Sequence, residues 1–252
     1  MAGTETARSF VNLIREEEVP FKAASIAFYA IASFIPLLIV ALAVLSYFGA
    51  ADTLVAMLQS SLSQSAGAVL DNVLTDTRAG GIAGGLGFLV TLWSGTKIFR
   101  GLSIAFAELY KRNADLSILD EIKKSLVVLS IILFAFATLT TASVFVVYVP
   151  IEIPLAGLVT NALALAVLVV CLLPVYYVMP PRSTTLSHAF PGTILAAAGW
   201  VLLQYGFVFY TQNAGSYDAY GILGAVLLFI TFLYFAAIVL LLGAALNAVL
   251  DL

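Results

Sequence analysis

The strongest constraint on this chain is a run without charge. From Ala219 to Leu250 there is no Asp, Glu, Lys, Arg or His. A helix of about 20 apolar residues crosses a hydrocarbon core about 30 Å thick, so this segment is long enough to span a bilayer with tilt. A polar, glycine-containing loop, Gln212 to Asp218, leads into it. Similar segments lie upstream, and the composition agrees: the chain is 62% hydrophobic and 10% charged, whereas a soluble domain carries about 25% charge. The reading is an all-α integral membrane protein in a single polytopic domain, residues 1–252.

Composition also excludes several functions. Eleven basic residues stand against 14 acidic ones, a net charge of −3, and no clustered basic face marks a nucleic-acid binder. Cys171 is the one cysteine and His188 the one histidine. A disulfide framework, a thiolate metal cluster and a multi-histidine metal site are therefore out of reach. No metal or other cofactor is expected. The first apolar run is too long for a signal-peptide core, although Ala41-Leu42-Ala43 mimics a cleavage site.

Along the chain, residues 5–22 read as an amphipathic helix lying on the membrane surface. Phe10, Val11, Ile14 and Phe21 alternate there with Arg8, Arg15, Glu16 to Glu18 and Lys22, and Pro20 is expected to end or kink it. A first span covers 24–48. Ser25, Tyr29, Ser33 and Pro36 share one side of it, within about 80° at 100° per residue. Polar groups in lipid must face protein or water, so this stripe is expected to face the bundle interior. Ordinary packing through small and hydroxylic residues is the competing reading.

Residues 51–78 repeat apolar positions at helical spacing, but neither half is apolar enough to span. They read as an outer amphipathic helical hairpin between the first two spans. The second span, 80–101, opens with GGIAGGLG. This lacks the Lys-Ser/Thr of a phosphate loop and reads as close helix packing. Near its end stand Ser94, Lys97 and Arg100, the last two placed to snorkel to inner headgroups. Residues 102–121 continue as a cytoplasmic helix and loop, with Glu108 facing Arg112 one turn on. Further spans are expected over 122–149, 156–179, 186–210 and 219–249. The fourth closes with YYVMPP, read as an interfacial aromatic pair and a helix stop. The fifth carries Gln204 and Tyr205.

Six spans alternate sides, and basic residues choose the orientation. The N-terminal segment, residues 97–124 and the 181–187 loop hold 10 of the 11 Lys and Arg residues; the outer connections hold Arg78 alone. By the positive-inside rule both termini are cytoplasmic.

The residues that could do chemistry are few. The middle of every expected span lacks Asp, Glu, Lys, Arg and His, unlike the usual ion-coupled carrier. Paired carboxylates, a serine–histidine arrangement, a zinc helix and a nuclease carboxylate cluster cannot be assembled. His188 reads as a polar residue at an interface or helix cap. A neutral, hydroxylic interior remains. Its candidate path residues are Ser25, Tyr29, Ser33, Pro36, Ser94, Gln204, Tyr205 and Asn247, with Asn213, Asp218 and Tyr220 at an outer mouth. Such a lining suits an amphipathic or lipid-like molecule, or serves only as glue between helices.

Four stretches carry a resemblance: AASIAFYAIASFIPLLIVALAVL, LWSGTKIFRGL, AFPGTILAAAGWVLLQYGFVFYTQN and YGILGAVLLFITFLYFAAIVLLLGAALNAVL. Together they resemble the YihY/BrkB family of inner-membrane proteins, over nearly the whole chain after residue 8. Two positions depart from the family pattern. Ala245 stands where the family often has an acidic residue, and Lys97 where it tends to have arginine. The resemblance implies an inner-membrane protein with a part in moving lipids or lipid-linked molecules. The family has also carried a ribonuclease label, against which the missing nuclease chemistry argues here, and a virulence-factor label, which names a phenotype. The leading expectation is a non-enzymatic transporter or export factor for a lipid-like amphipathic molecule. The alternative is a scaffold subunit of a membrane complex, with the 51–78 hairpin as docking surface. Expected partners are membrane lipids and either a membrane protein or further copies of the chain, with no nucleic acid.

Overall fold

The structure, a computed structural model, describes residues 2–47, 100–111, 123, 124, 127, 130, 156–182, 184–213 and 221–250. Among these, all regular structure is helical. The helices are α1 (Ala2–Glu16), α2 (Val19–Tyr47), α3 (residues 100–109), α4 (Ala156–Val178), α5 (Leu186–Asn213) and α6 (Gly221–Leu250). The expected hairpin over 51–78 lies outside the described residues, as do most of the expected spans over 80–101 and 122–149.

The surface helix expected over 5–22 is two helices meeting at a corner. The N–H groups of Glu17 and Glu18 donate to the carbonyls of Leu13 and Arg15 at 3.0 and 3.3 Å and close α1. Those of Phe21 and Lys22 donate to the Glu18 carbonyl at 2.9 and 3.2 Å and open α2. Glu18 between them has φ +46°, a left-handed conformation that a non-glycine residue adopts at a cost. Pro20 therefore starts a helix where it was expected to end one. First-turn N–H groups have no helical acceptor, so a residue without one fits there.

The apolar stripe of α1 packs toward α6. Leu13 is 3% exposed, with Phe10 and Ile14 packed beside it. Val11, Arg8 and Arg15 face away from the protein.

Ion pairs hold the corner. Lys22 Nζ lies 3.0 Å from Glu17 and 2.7 Å from Glu108, and Lys111 lies 3.8 Å from Glu16. Glu108, expected to face Arg112, thus reaches α2; Arg112 lies outside the described residues. Lys111, at φ +51°, turns the chain at the end of α3.

The core gathers at one end of the helices. It draws on Leu13, on Val19, Ala23 and Ile26 at the start of α2, and on Phe106 and Leu109 of α3. Tyr176 and Met179 join from the end of α4, Ala189 and Ala196 from the start of α5, and Leu241 to Ala248 from the end of α6. From Ala198 to Tyr210 in α5, and from Val226 to Phe235 in α6, no residue is buried. Within α5 and α6, Leu186–Tyr210 and Val226–Leu250 are long and apolar enough to cross a membrane. Val19–Ser33 and Leu165–Val178 are shorter apolar helical stretches.

Candidate functional site

The polar groups of the packed end converge where α4 and α5 meet α6. Pro191 lies inside α5 and has no N–H to offer the Ser187 carbonyl one turn back. Next to it, the Gly192 N–H donates to Asn247 Oδ1 of α6 at 2.6 Å, and Asn247 Nδ2 donates to the Ala189 carbonyl at 3.0 Å. The two partners fix the orientation of the carboxamide, because an N–H needs an oxygen and a carbonyl needs a donor. Thr193 Oγ1 donates to the same Ala189 carbonyl at 2.8 Å. Asn247 and Thr193 are fully buried, where a polar group without partners would be costly.

Close backbone approach makes this possible. A Cβ on Gly192 would collide with the Gly243 carbonyl oxygen and lie 2.6 Å from Asn247 Cγ. A Cβ on Gly243 would lie 2.5 Å from both the Gly192 carbonyl oxygen and the Tyr176 hydroxyl. Small residues at such crossings let membrane helices touch backbone to backbone. Tyr176, fully buried and with its ring 5.9 Å from that of Phe106, donates its hydroxyl to the Leu240 carbonyl at 2.8 Å. It is not one of an interfacial pair with Tyr177, as expected; only Tyr177 is exposed.

Around this knot lies a polar margin. Arg182 stands over the Tyr110 ring at 5.3 Å, Lys124 Nζ lies 3.4 Å from the Pro180 carbonyl, and the Ser103 hydroxyl meets Met179 Sδ at 3.7 Å. Thr185 Oγ1, just before α5, is 2.9 Å from His188 Nδ1. Among the described residues, no three of His, Cys, Asp and Glu converge as a metal would require. What the described arrangement does chemically is join helices.

The expected path residues are not brought together. Ser33 and Asn247 are buried, Tyr29 is half-buried, and Ser25, Gln204 and Tyr205 are exposed. The Ser25 and Ser33 hydroxyls donate within α2, to the Phe21 and Ala30 carbonyls at 3.3 and 2.9 Å. Tyr205 lies about 140° around α5 from Gly192 at 100° per residue, which turns it away from α6. Arg100 is exposed at the start of the described part of α3. Ser94, Lys97, Asp218 and Tyr220 lie outside the described residues, as do the side chains of Pro36 and Asn213. Tyr176, Gly192, Thr193 and Gly243 were missed as site residues. A Pro-Gly-Thr inside an apolar helix and a lone Asn in another were the available signals, since each leaves polar groups in need of a partner.

The description "Virulence factor BrkB" belongs to the family whose profile matches residues 10–252. YfkH of Bacillus subtilis, a protein described as ribonuclease-like, is 23% identical over 256 residues, 91% of this chain and 89% of its own length. A UPF0761 membrane protein of Xanthomonas campestris is 36% identical over 83 residues, 32% of this chain and 20% of that protein. One from Nitrosospira multiformis is 34% identical over 74 residues, 29% of this chain and 17% of that protein. The match therefore covers no more than about a fifth of these two membrane relatives. No solved structure matches the chain.

Proposed function

The chain belongs to the BrkB family, and on that premise we propose that it is a cytoplasmic-membrane protein of six spans, both termini inside, that transports or helps to export a lipid-like amphipathic molecule. One observation carries the reading, the asymmetry of α5 and α6. At one end they are bonded backbone to side chain with Asn247 fully buried; towards the other they present Leu202, Tyr205 and Phe209 at 72%, 63% and 70% exposure. Helices bonded together at one end and presenting large exposed apolar and aromatic side chains towards the other suit contact with an amphipathic molecule that has a long apolar part. The reading is of a non-enzymatic protein: Asn247 and Tyr176 are committed to bonds that join helices and Thr193 to a bond within α5.

The closed end is taken as the inner one, since Lys22, Lys111, Lys124 and Arg182 lie there and basic residues favour the cytoplasmic side. The test is lipid translocation by the purified protein in sealed liposomes with fluorescent lipids and an external quencher. Protein-dependent loss of the inner-leaflet signal supports transport. No movement in a well-folded preparation overturns it and leaves the scaffold reading.

A further inference from the structure

The bonds that hold α6 fall beside the weak points of α4 and α5. Tyr176 follows Pro174 by two residues, and Gly192 follows Pro191 directly. Each proline removes one helical hydrogen bond, at the Val170 and Ser187 carbonyls respectively, and sharp helix bending concentrates at such positions. At the crossing, Gly192 and Gly243 meet without side chains of their own. Further along, Trp200 and Phe207 of α5 pack on Phe232 of α6, so the body of α5 is held while its first turns are held chiefly by the hydrogen bonds. Hydrogen bonds between membrane helices are individually weak in net terms.

We propose that α4 and α5 pivot at Pro174 and Pro191, and that the Tyr176–Leu240 and Gly192–Asn247 hydrogen bonds are the catch that keeps this end of the bundle shut. The proposal rests on the transport reading and deepens it: the catch is the inner gate, and a bound amphipathic molecule opens it by favouring the open state. The bistable element is the pair of proline-hinged helix ends, and the catch sets which state is populated.

The test is a distance measurement that needs no transport. Spin labels are placed at the exposed Leu186 and Leu250, and separately at the exposed Tyr177 and Leu250, by cysteine substitution in the full chain carrying Cys171→Ser, reconstituted in lipid nanodiscs. Pulsed spin–spin measurements should give one distance per pair. Tyr176→Phe with Asn247→Leu should add a second population longer by about 5 Å, the scale of one helical turn. Adding Pro174→Ala and Pro191→Ala should remove that population. An unchanged single distance in the catch variant, or a second distance that survives loss of both prolines, overturns the proposal. If the double catch variant fails to fold, Tyr176→Phe alone with the Tyr177–Leu250 pair decides the matter in the same way. A second distance in a protein that moves no lipid in liposomes would overturn the transport reading and leave the hinge standing.

Discussion

Asn247 accepts the backbone N–H of Gly192 at 2.6 Å, across 55 positions of the chain. A side chain near the end of one apolar helix thereby bonds to the backbone of another, beside a proline. The bond answers the need of α6, whose carboxamide has no place in lipid; the carbonyl that Pro191 leaves without a helical donor is that of Ser187.

Replacing Asn247 by leucine keeps its approximate volume and removes both bonds. The Gly192 N–H and Ala189 carbonyl then lose a partner in a dry crossing, and stability should fall by about 1–3 kcal/mol. Thermal unfolding of the detergent-solubilised protein would show a lower midpoint; an unchanged midpoint would mean that the bond contributes nothing.

Glycine substitutions should split by place. Gly192→Ala and Gly243→Ala each put a Cβ into backbone or buried side-chain atoms at 2.6 Å or closer and should destabilise by about 1–3 kcal/mol or more. Gly206→Ala meets nothing within 4 Å and should be neutral or stabilise by up to about 1 kcal/mol, through helix propensity. Melting the three variants side by side checks the contrast, and equal effects would refute the close crossing.

Tyr176→Phe removes one hydroxyl and keeps the ring against Phe106. The expected loss is about 1 kcal/mol, the net worth of one hydrogen bond. Tyr177→Phe, at an exposed position, should stay within about 0.5 kcal/mol of the parent. The difference in unfolding midpoint between these two is the measurement.

Leu13→Ala should loosen α1 from α6, because Leu13 is 3% exposed and truncation of a buried leucine costs about 2–5 kcal/mol. Trypsin should then cut after Arg15 faster than in the parent. Val11→Ala, at 54% exposure, should leave the cutting rate unchanged. Similar rates for all three proteins would refute the packing of Leu13 as the contact that holds α1 to α6.

Arg100→Ala should weaken binding of anionic phospholipid by the detergent-solubilised protein while leaving its melting curve in place. Arg100 is exposed, so its loss costs little packing, and a long basic side chain expected at the inner interface is placed to meet headgroups. Unchanged lipid binding would take Arg100 out of the proposed inner contact.

The helices themselves were legible in the sequence where apolar runs are long. The reading placed helices over 156–179, 186–210 and 219–249, and α4, α5 and α6 run Ala156–Val178, Leu186–Asn213 and Gly221–Leu250. Length and hydrophobicity decide such segments locally, because every backbone group is bonded within its own helix. The α1–α2 corner was not legible. It turns on the conformation of Glu18, and Pro20 is equally at home ending a pattern or beginning one.

The site was legible only in part, for a physical reason of the same kind. Asn247 stood out as a polar residue in a charge-free run and was read as lining a path, whereas the structure spends it on joining α5 and α6. Its partner could not be named, since Gly192 contributes a backbone N–H that every residue except proline possesses. Tyr176 and Tyr177 are identical in type and adjacent, yet one is buried against α3 and α6 and the other is exposed. A helix advances about 100° per residue, so which of two neighbours faces the protein depends on where the other helices lie. The sequence by itself determined that apolar helices form and that Asn247 must be satisfied. The tertiary structure alone decided the crossing of Gly192 with Gly243, because backbone contact between distant segments has no side-chain signature of its own.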